Sequence, residues 1–406
     1  MLRRATVCAL LLTALACERV ETPPPAPQAE FVVAAGDSVF WIRSDADGIR
    51  VRGAPMVLAQ IGGRFAELYI TDEDHSFYDA VYVGQRLYRR DLISGDSLLL
   101  ASDTLMRILA RGYAVANPDE RPLAFDEQGS ENPRTIASAE LFVLDVMGPW
   151  VSYEYRTDVD VVGGSTSHGL RRGVVDARTG VGATLEALFG RSESRRLASE
   201  GQRQWRQQRD STLAAAPEDL ELREQLERLS FDPRSYSLEV ERREPRVRFA
   251  LAQSAARLPA AAQPLVPLAV DPPAWWDGVR NEHPETAENG ERVWERDAYT
   301  VVGRAVTEPS PRVAFALRDA GGQEWRLGFV PAPVLRVMWL DDSVVAPGTH
   351  EALVRAFDEA AFYSQNTRIV RNTRPRAAPT VRYSLAARPA RPVSVPRRHA
   401  AARGRP

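Results

Sequence analysis

The chain has 406 residues, enough for one large domain or two ordinary ones with a well-buried core. All 52 basic residues are arginine, which excludes a Schiff-base lysine and a phosphate-loop lysine. The two cysteines, Cys8 and Cys17, both precede residue 18, so the rest of the chain can form neither a disulfide nor a thiolate metal site.

The net charge of −2 hides an asymmetry: residues 361–406 hold 11 arginines and no acid, leaving 41 arginines against 54 acidic residues in the first 360. An acidic body and a basic tail are expected. The chain opens with Arg3-Arg4, continues uncharged from Ala5 to Ala16 and reaches Cys17. This is the pattern of an export signal, too short to span a bilayer. Ala14-Leu15-Ala16-Cys17 resembles the lipobox of bacterial lipoproteins, in which the cysteine thioether carries diacylglycerol. Ala14 stands where the family has leucine, which leaves ordinary A-x-A cleavage and secretion as the alternative. Residues 18–30, with Pro23-Pro24-Pro25 and Pro27, read as a stiff tether.

Residues 31–190 carry strand signals. Val39–Ile42 and Ile49–Arg52 flank Asp45-Ala46-Asp47-Gly48, a hairpin turn rather than a calcium loop, because the glutamate at the twelfth position is missing. Further strands are expected at Leu68–Ile70, Ala80–Val83, Arg86–Tyr88, Leu98–Leu100, Leu141–Val146 and Trp150–Tyr155, with Pro118–Pro133 a long surface loop. Asp91-x-x-Ser94-Gly95 and Asp176-x-x-Thr179-Gly180 share one turn pattern, in which the aspartate bonds turn amides and the glycine takes positive φ.

Residues 191–230 read as two helices divided by Pro217, the first covering a surface, since Trp205 is nearly alone there among apolar residues. A second β-rich unit is expected over 231–345. Over 346–366, Thr349 starts a helix that puts Leu353, Ala356, Phe357, Ala360 and Ala361 on one face. Residues 367–406, rich in Arg, Pro and Ala, read as a disordered tail. The fold class is therefore α+β, strand-rich with antiparallel sheets and a few helices; an all-β propeller-like arrangement is the alternative, since such turns are common there.

Val151–Gly190 carries Tyr153-Glu154-Tyr155, Gly163-Gly164, His168-Gly169, Asp176 with Thr179-Gly180, and Leu185 with Leu188-Phe189. In this order the residues resemble the extracellular domain shared by lysozyme-sensing anti-sigma factors and the non-catalytic region of some peptidoglycan deacetylases. Two residues are inserted between Gly-Gly and His-Gly. The resemblance implies an α+β domain outside the membrane with a binding or sensing role, and it brings no catalytic set.

Candidate site residues are few. His168 follows Ser167 and could act as its base, but a nucleophile elbow needs glycine where Ser165 stands and a helix where a strand is expected, so a structural loop is the competing reading. Asp72, Glu73, Asp74, His75 and Asp79 could bind a cation or form a solvated turn between strands. Trp275-Trp276 could stack on a sugar face, or one ring could be core, because neighbours in a strand point to opposite faces. His283, His350 and His399 suggest nothing. The tail could bind anionic headgroups or envelope polymers, or simply be solvated; after Asn372 its one aromatic is Tyr383, so nucleic acid is not the expected partner.

No cofactor or metal is implied. The leading expectation is a lipid-anchored cell-envelope protein, on the periplasmic or outer face, with a non-catalytic binding role towards a protein or cell-wall ligand. An envelope-polymer hydrolase and a structural subunit of an envelope complex are the alternatives. The hydrolase requires His168 and two carboxylates within hydrogen-bond reach of one another.

Overall fold

A computed structural model describes residues 29–370 except 36–37, 46–47, 125–126, 165, 242–243, 254–262, 280–284, 287–290, 297, 307–311, 332–334, 342–344 and 362–366. The expected signal, Cys17, most of the tether, Asp47, His283 and the tail beyond Val370 lie outside the described residues. The protein is α+β and strand-rich, with four sheets and four α-helices among the described residues.

Strands β1 (Glu30–Ala35), β2 (Ser38–Asp45) and β3 (Gly48–Ala54) form a meander in which Asp45 pairs with Gly48, as the Asp-Gly signal predicts. β4 (Val57–Ile61), β5 (Arg64–Ser76), β6 (Ala80–Asp91) and β7 (Ser97–Ser102) follow, then helix α1 (Leu105–Ala116). After the irregular segment that begins at Asn117 come β8 (Thr135–Met147), β9 (Trp150–Val161), β10 (Ser167–Asp176) and β11 (Val181–Gly182). Together β4 to β11 form the largest sheet, in the order β11-β10-β9-β8-β6-β5-β4 with β7 beside β6; the β6–β8 pair is parallel.

Both Asp-x-x-Ser/Thr-Gly turns lie in this sheet. Asp91 Oδ1 accepts from the amides of Ile93 and Ser94, each at 2.9 Å, and Asp176 Oδ1 accepts from the amide of Arg178 at 2.9 Å. Gly95 and Gly180 adopt φ of 79° and 71°, the left-handed conformation that glycine accepts without strain. The pattern marks two hairpins and does not extend to repeated blades, so the propeller-like alternative fails.

Helix α2 (Leu185–Ala215) begins where Thr184 Oγ1 accepts from the Ala187 amide. The backbone leaves the helix at Gly190, so the long charged helix proper starts at Arg191. It buries Leu197, Gly201 and Trp205, one residue per turn, and exposes most of the rest, as expected of a covering helix. Helix α3 (Leu220–Glu227) follows Pro217, with Asp219 capping the Leu222 amide.

The expected unit 231–345 divides among three sheets. β12 (Leu229–Glu241), β13 (Glu244–Gln253) and β14 (Leu265–Ala269) form one, which packs with α2 against β9 and β10 around Phe249, Leu238, Trp205 and Val174. β15 (Glu285–Thr286), β16 (Arg292–Arg296), β17 (Tyr299–Val306), β18 (Arg312–Asp319) and β19 (Glu324–Pro331) form a second. β20 (Leu335–Trp339) returns to pair with β1, so a strand from the expected second unit completes the sheet opened by the first.

Both faces of β1 are therefore buried. Phe31 and Val33 meet Val301, Phe315 and Leu317 of the β15–β19 sheet, while Val32 and Ala34 face Leu353 and Phe357 of helix α4 (Thr349–Ala361). Strand β21 (Thr367–Val370) then pairs with β3, so the chain is still ordered where a disordered tail is expected to begin. His350 of α4, which suggests nothing in the sequence, places its Nε2 3.0 Å from Glu30 Oε2.

Candidate functional site: an open acidic face

Strand alternation gives the β8–β9–β10 region two chemically distinct faces. Ala137, Ala139 and Leu141 alternate with Ile136, Ser138 and Glu140, and Tyr155 alternates with Glu154 and Arg156. The first set is buried, in one cluster with Met106 and Ala110 of α1. The second set lies on the other face. There the half nearest β12 is covered, and the half towards the β9–β10 turn is open.

The register aligns that open half across five strands. Asp74 pairs with Val83, Val83 with Ser138, Ser138 with Asp158 and Asp158 with His168. One rung further out, Ser76, Val81, Ile136 and Asp160 form a second row. Asp72, Glu140 and Arg156 lie on the rung towards the covered half. Asp72, Asp74, Glu140, Asp158 and Asp160 are all exposed, and so is Ile136 at 46%. Five carboxylates thus flank an apolar strip of Val81, Val83 and Ile136, and at its covered end Arg156 stacks 4.3 Å from the ring of Phe142, which pairs with Glu154.

Four of these carboxylates have neutral or weakly basic partners. Gln85 Nε2 donates to Asp72 at 2.8 Å, Ser76 Oγ to Asp74 at 2.6 Å and Thr166 Oγ1 to Asp160 at 3.3 Å. His168 Nδ1 lies 2.5 Å from Asp158 Oδ1 across the β9–β10 pair. None of these four aspartates has an arginine among its hydrogen-bond partners, while Glu140 lies opposite Arg156 across the β8–β9 pair.

The covered half is held by a buried polar seam that sequence reading missed. Arg172 is 8% exposed and pairs in register with Glu154. Its Nε donates to Glu154 Oε2 at 2.8 Å, and its Nη1 donates to Ser237 Oγ at 3.0 Å and Glu239 Oε1 at 3.1 Å on β12. Arg156 Nε donates to the other Glu154 oxygen at 2.7 Å. Ser152 Oγ accepts from the Leu238 amide at 2.9 Å and donates to the Leu238 carbonyl at 3.2 Å. Arg156 therefore stands where the seam ends and the open face begins.

The sequence-predicted candidates separate as follows. Asp72, Asp74 and His168 share the open face, but Asp74 and His168 are four strand spacings apart, about 19 Å, too far to share a bound ion. His75 points to the opposite face, with Nε2 3.4 Å from Glu73 Oε1. Burial raises the Glu73 carboxyl, but its hydrogen bond from Arg86 and the nearby positive charges outweigh this and leave it below the usual range. These residues belong to a paired strand, which corrects the reading of a turn. Asp79 lies in the bend after β5. No cluster of three metal-ligating side chains occurs among the described residues.

Trp275 and Trp276 lie in a 3-10 turn (Ala274–Gly278), not a strand, so both rings can join the same core. Trp276 is buried, and Trp275 Nε1 donates to the Leu188 carbonyl at 3.0 Å while its ring meets Trp150 and Phe189. Neither ring belongs to the acidic face. His168 has one carboxylate within reach, and the other nearby acid, Asp160, sits one rung away, bonded to Thr166, so the hydrolase requirement is not met among the described residues.

No helix of the described residues is long and apolar enough to cross a membrane. Comparison with known protein families gives no match for this chain, and no curated protein matches it.

Proposed function

We propose that the chain is a cell-envelope lipoprotein, anchored through Cys17, that binds a cationic segment of a protein partner on the open β5–β10 face. One observation carries the binding half of this reading. Five exposed carboxylates and an apolar strip share a single register-aligned surface, and none of the hydrogen-bond partners of Asp72, Asp74, Asp158 and Asp160 is an arginine. Arginine suits such a surface, because its guanidinium pairs with carboxylates while its aliphatic stem lies on apolar atoms. The segment resembling the anti-sigma-factor domain supplies β9 and β10, and with them Asp158, Asp160 and His168. That resemblance supports a sensing or binding role over a catalytic one.

The test is a fluorescence-anisotropy titration, with a labelled ten-arginine peptide, of the full chain in which Arg388, Arg391, Arg397 and Arg398 are replaced by Gln so that its own arginines do not compete for the face. Replacing Glu140→Gln, Asp158→Asn and Asp160→Asn together should weaken binding at least tenfold, equivalent to about 1.4 kcal/mol. Unchanged affinity would remove this face as the site. The anchor is checked separately by mass spectrometry of the mature N-terminus from the native envelope. The expected product starts at a diacylglyceryl Cys17, and an unmodified terminus would indicate secretion instead.

A further inference from the structure

We infer that the arginine-rich segment 371–406 of this same chain docks on the acidic face and competes there with external cationic ligands. This rests on the binding reading above. Three observations converge on that occupant.

The first is charge complementarity. Residues 371–406 hold ten arginines and no acid. At six other sites on the protein the acidic side chain is already matched by an arginine from the body: Glu67 by Arg90, Glu73 by Arg86, Glu127 by Arg121, Asp176 by Arg178, Glu193 by Arg196 and Glu200 by Arg203. On the open face, Asp72, Asp74 and Asp160 bond only to an amide and two hydroxyls, and Asp158 to an imidazole. A cationic tail meets four aspartates without an arginine partner here and matched pairs at those other sites.

The second is reach. The described chain ends in β21, where Val370 pairs with Ile49 and fixes the root of the tail to the β3 edge. A globule of this size has a diameter of about 50–60 Å, and the 371–406 segment can extend about 120 Å, so it can reach any surface of the body. The third is tethering. Covalent attachment gives the segment an effective concentration near the millimolar range at its own body, so a contact that is weak between separate molecules is occupied within one.

The experiment exploits the absence of lysine. Arg388→Lys and Arg398→Lys are introduced into the full chain, and a carbodiimide then couples these amines to carboxylates in contact with them. The expected result is intrachain amide cross-links to Asp72, Asp74, Glu140, Asp158 or Asp160, lost at about 1 M salt, where the screening length falls to about 3 Å. Cross-links that fall on other carboxylates, or between isotopically mixed chains, overturn docking in cis. In parallel, Arg388, Arg391, Arg397 and Arg398 are replaced by Gln and the ten-arginine peptide is titrated. Displacement of the tail predicts at least tenfold tighter peptide binding than to the unaltered chain. Equal affinity for both chains sinks the tail inference while leaving the binding reading intact, whereas no peptide binding to either sinks the reading itself.

Discussion

Replacing Arg172 by alanine should destabilise the protein by about 3–5 kcal/mol, the cost of leaving a buried charge without its partner. Glu154, 2% exposed, takes two contacts from this guanidinium, and Arg172 also carries the hydrogen bonds to Ser237 and Glu239 that cross to β12. Arg156 retains its single bond to the other Glu154 oxygen, which keeps part of the compensation in place. The measurement is the urea midpoint at pH 7, with the single variant compared against Arg172→Met combined with Glu154→Leu. An ion pair exchanged for apolar side chains of similar volume should recover most of the loss. If the single variant unfolds at the wild-type midpoint, the seam does not hold the two sheets together. If the double variant is as unstable as the single one, the cost lies in packing rather than in the orphaned carboxylate.

The same seam shows what a sequence can and cannot disclose. Local chemistry was legible: the Asp45–Gly48 hairpin, both Asp-x-x-Ser/Thr-Gly turns, the two helices on either side of Pro217 and the apolar side of α4 all follow from near-neighbour preferences. Long-range pairing was not. Nothing near Glu30 or Leu335 announces that β1 and β20 are partners, because both read simply as apolar strands. The acidic face was half legible. Asp72, Asp74 and His168 stood out singly, but they form one surface only through a parallel β6–β8 pair joining segments far apart in the chain. The alternation of Ile136, Ser138 and Glu140 with Ala137, Ala139 and Leu141 was the available signal that one side of this sheet faces water. Arg172 and Glu154 gave no signal at all, since a charged pair on adjacent strands looks like solvated surface until a second sheet covers it.

A second buried charge gives the protein a distinctive pH dependence. A register shift in β8 between Val143 and Asp145 coincides with Asp145 lying in the interior, where its Oδ1 accepts from the Val146 amide at 2.7 Å. Arg336 of β20 lies 3.9 Å away and donates to the carbonyls of Val146 and Leu58 at 2.9 and 3.0 Å, tying the β1–β3 sheet to the largest one. Burial lifts the Asp145 carboxyl to about 6; Arg336 and the Val146 amide offset only part of that, and the charge of Glu239 adds to it. The folded value lies above the ordinary 3.8, so the native state holds this proton more tightly than the unfolded chain does. The stabilisation is therefore complete below about pH 4 and is lost as pH rises through about 6, a difference of about 3 kcal/mol. Other groups titrate across the same range, so the quantity to measure is the unfolding free energy of Asp145→Asn minus that of the wild type, from pH 4 to 7. That difference should rise by about 3 kcal/mol in favour of the variant, since asparagine keeps the side-chain oxygen that accepts from Val146 and carries no charge to desolvate. A flat difference would mean that Asp145 stays ionised throughout, held by Arg336 as an ordinary ion pair.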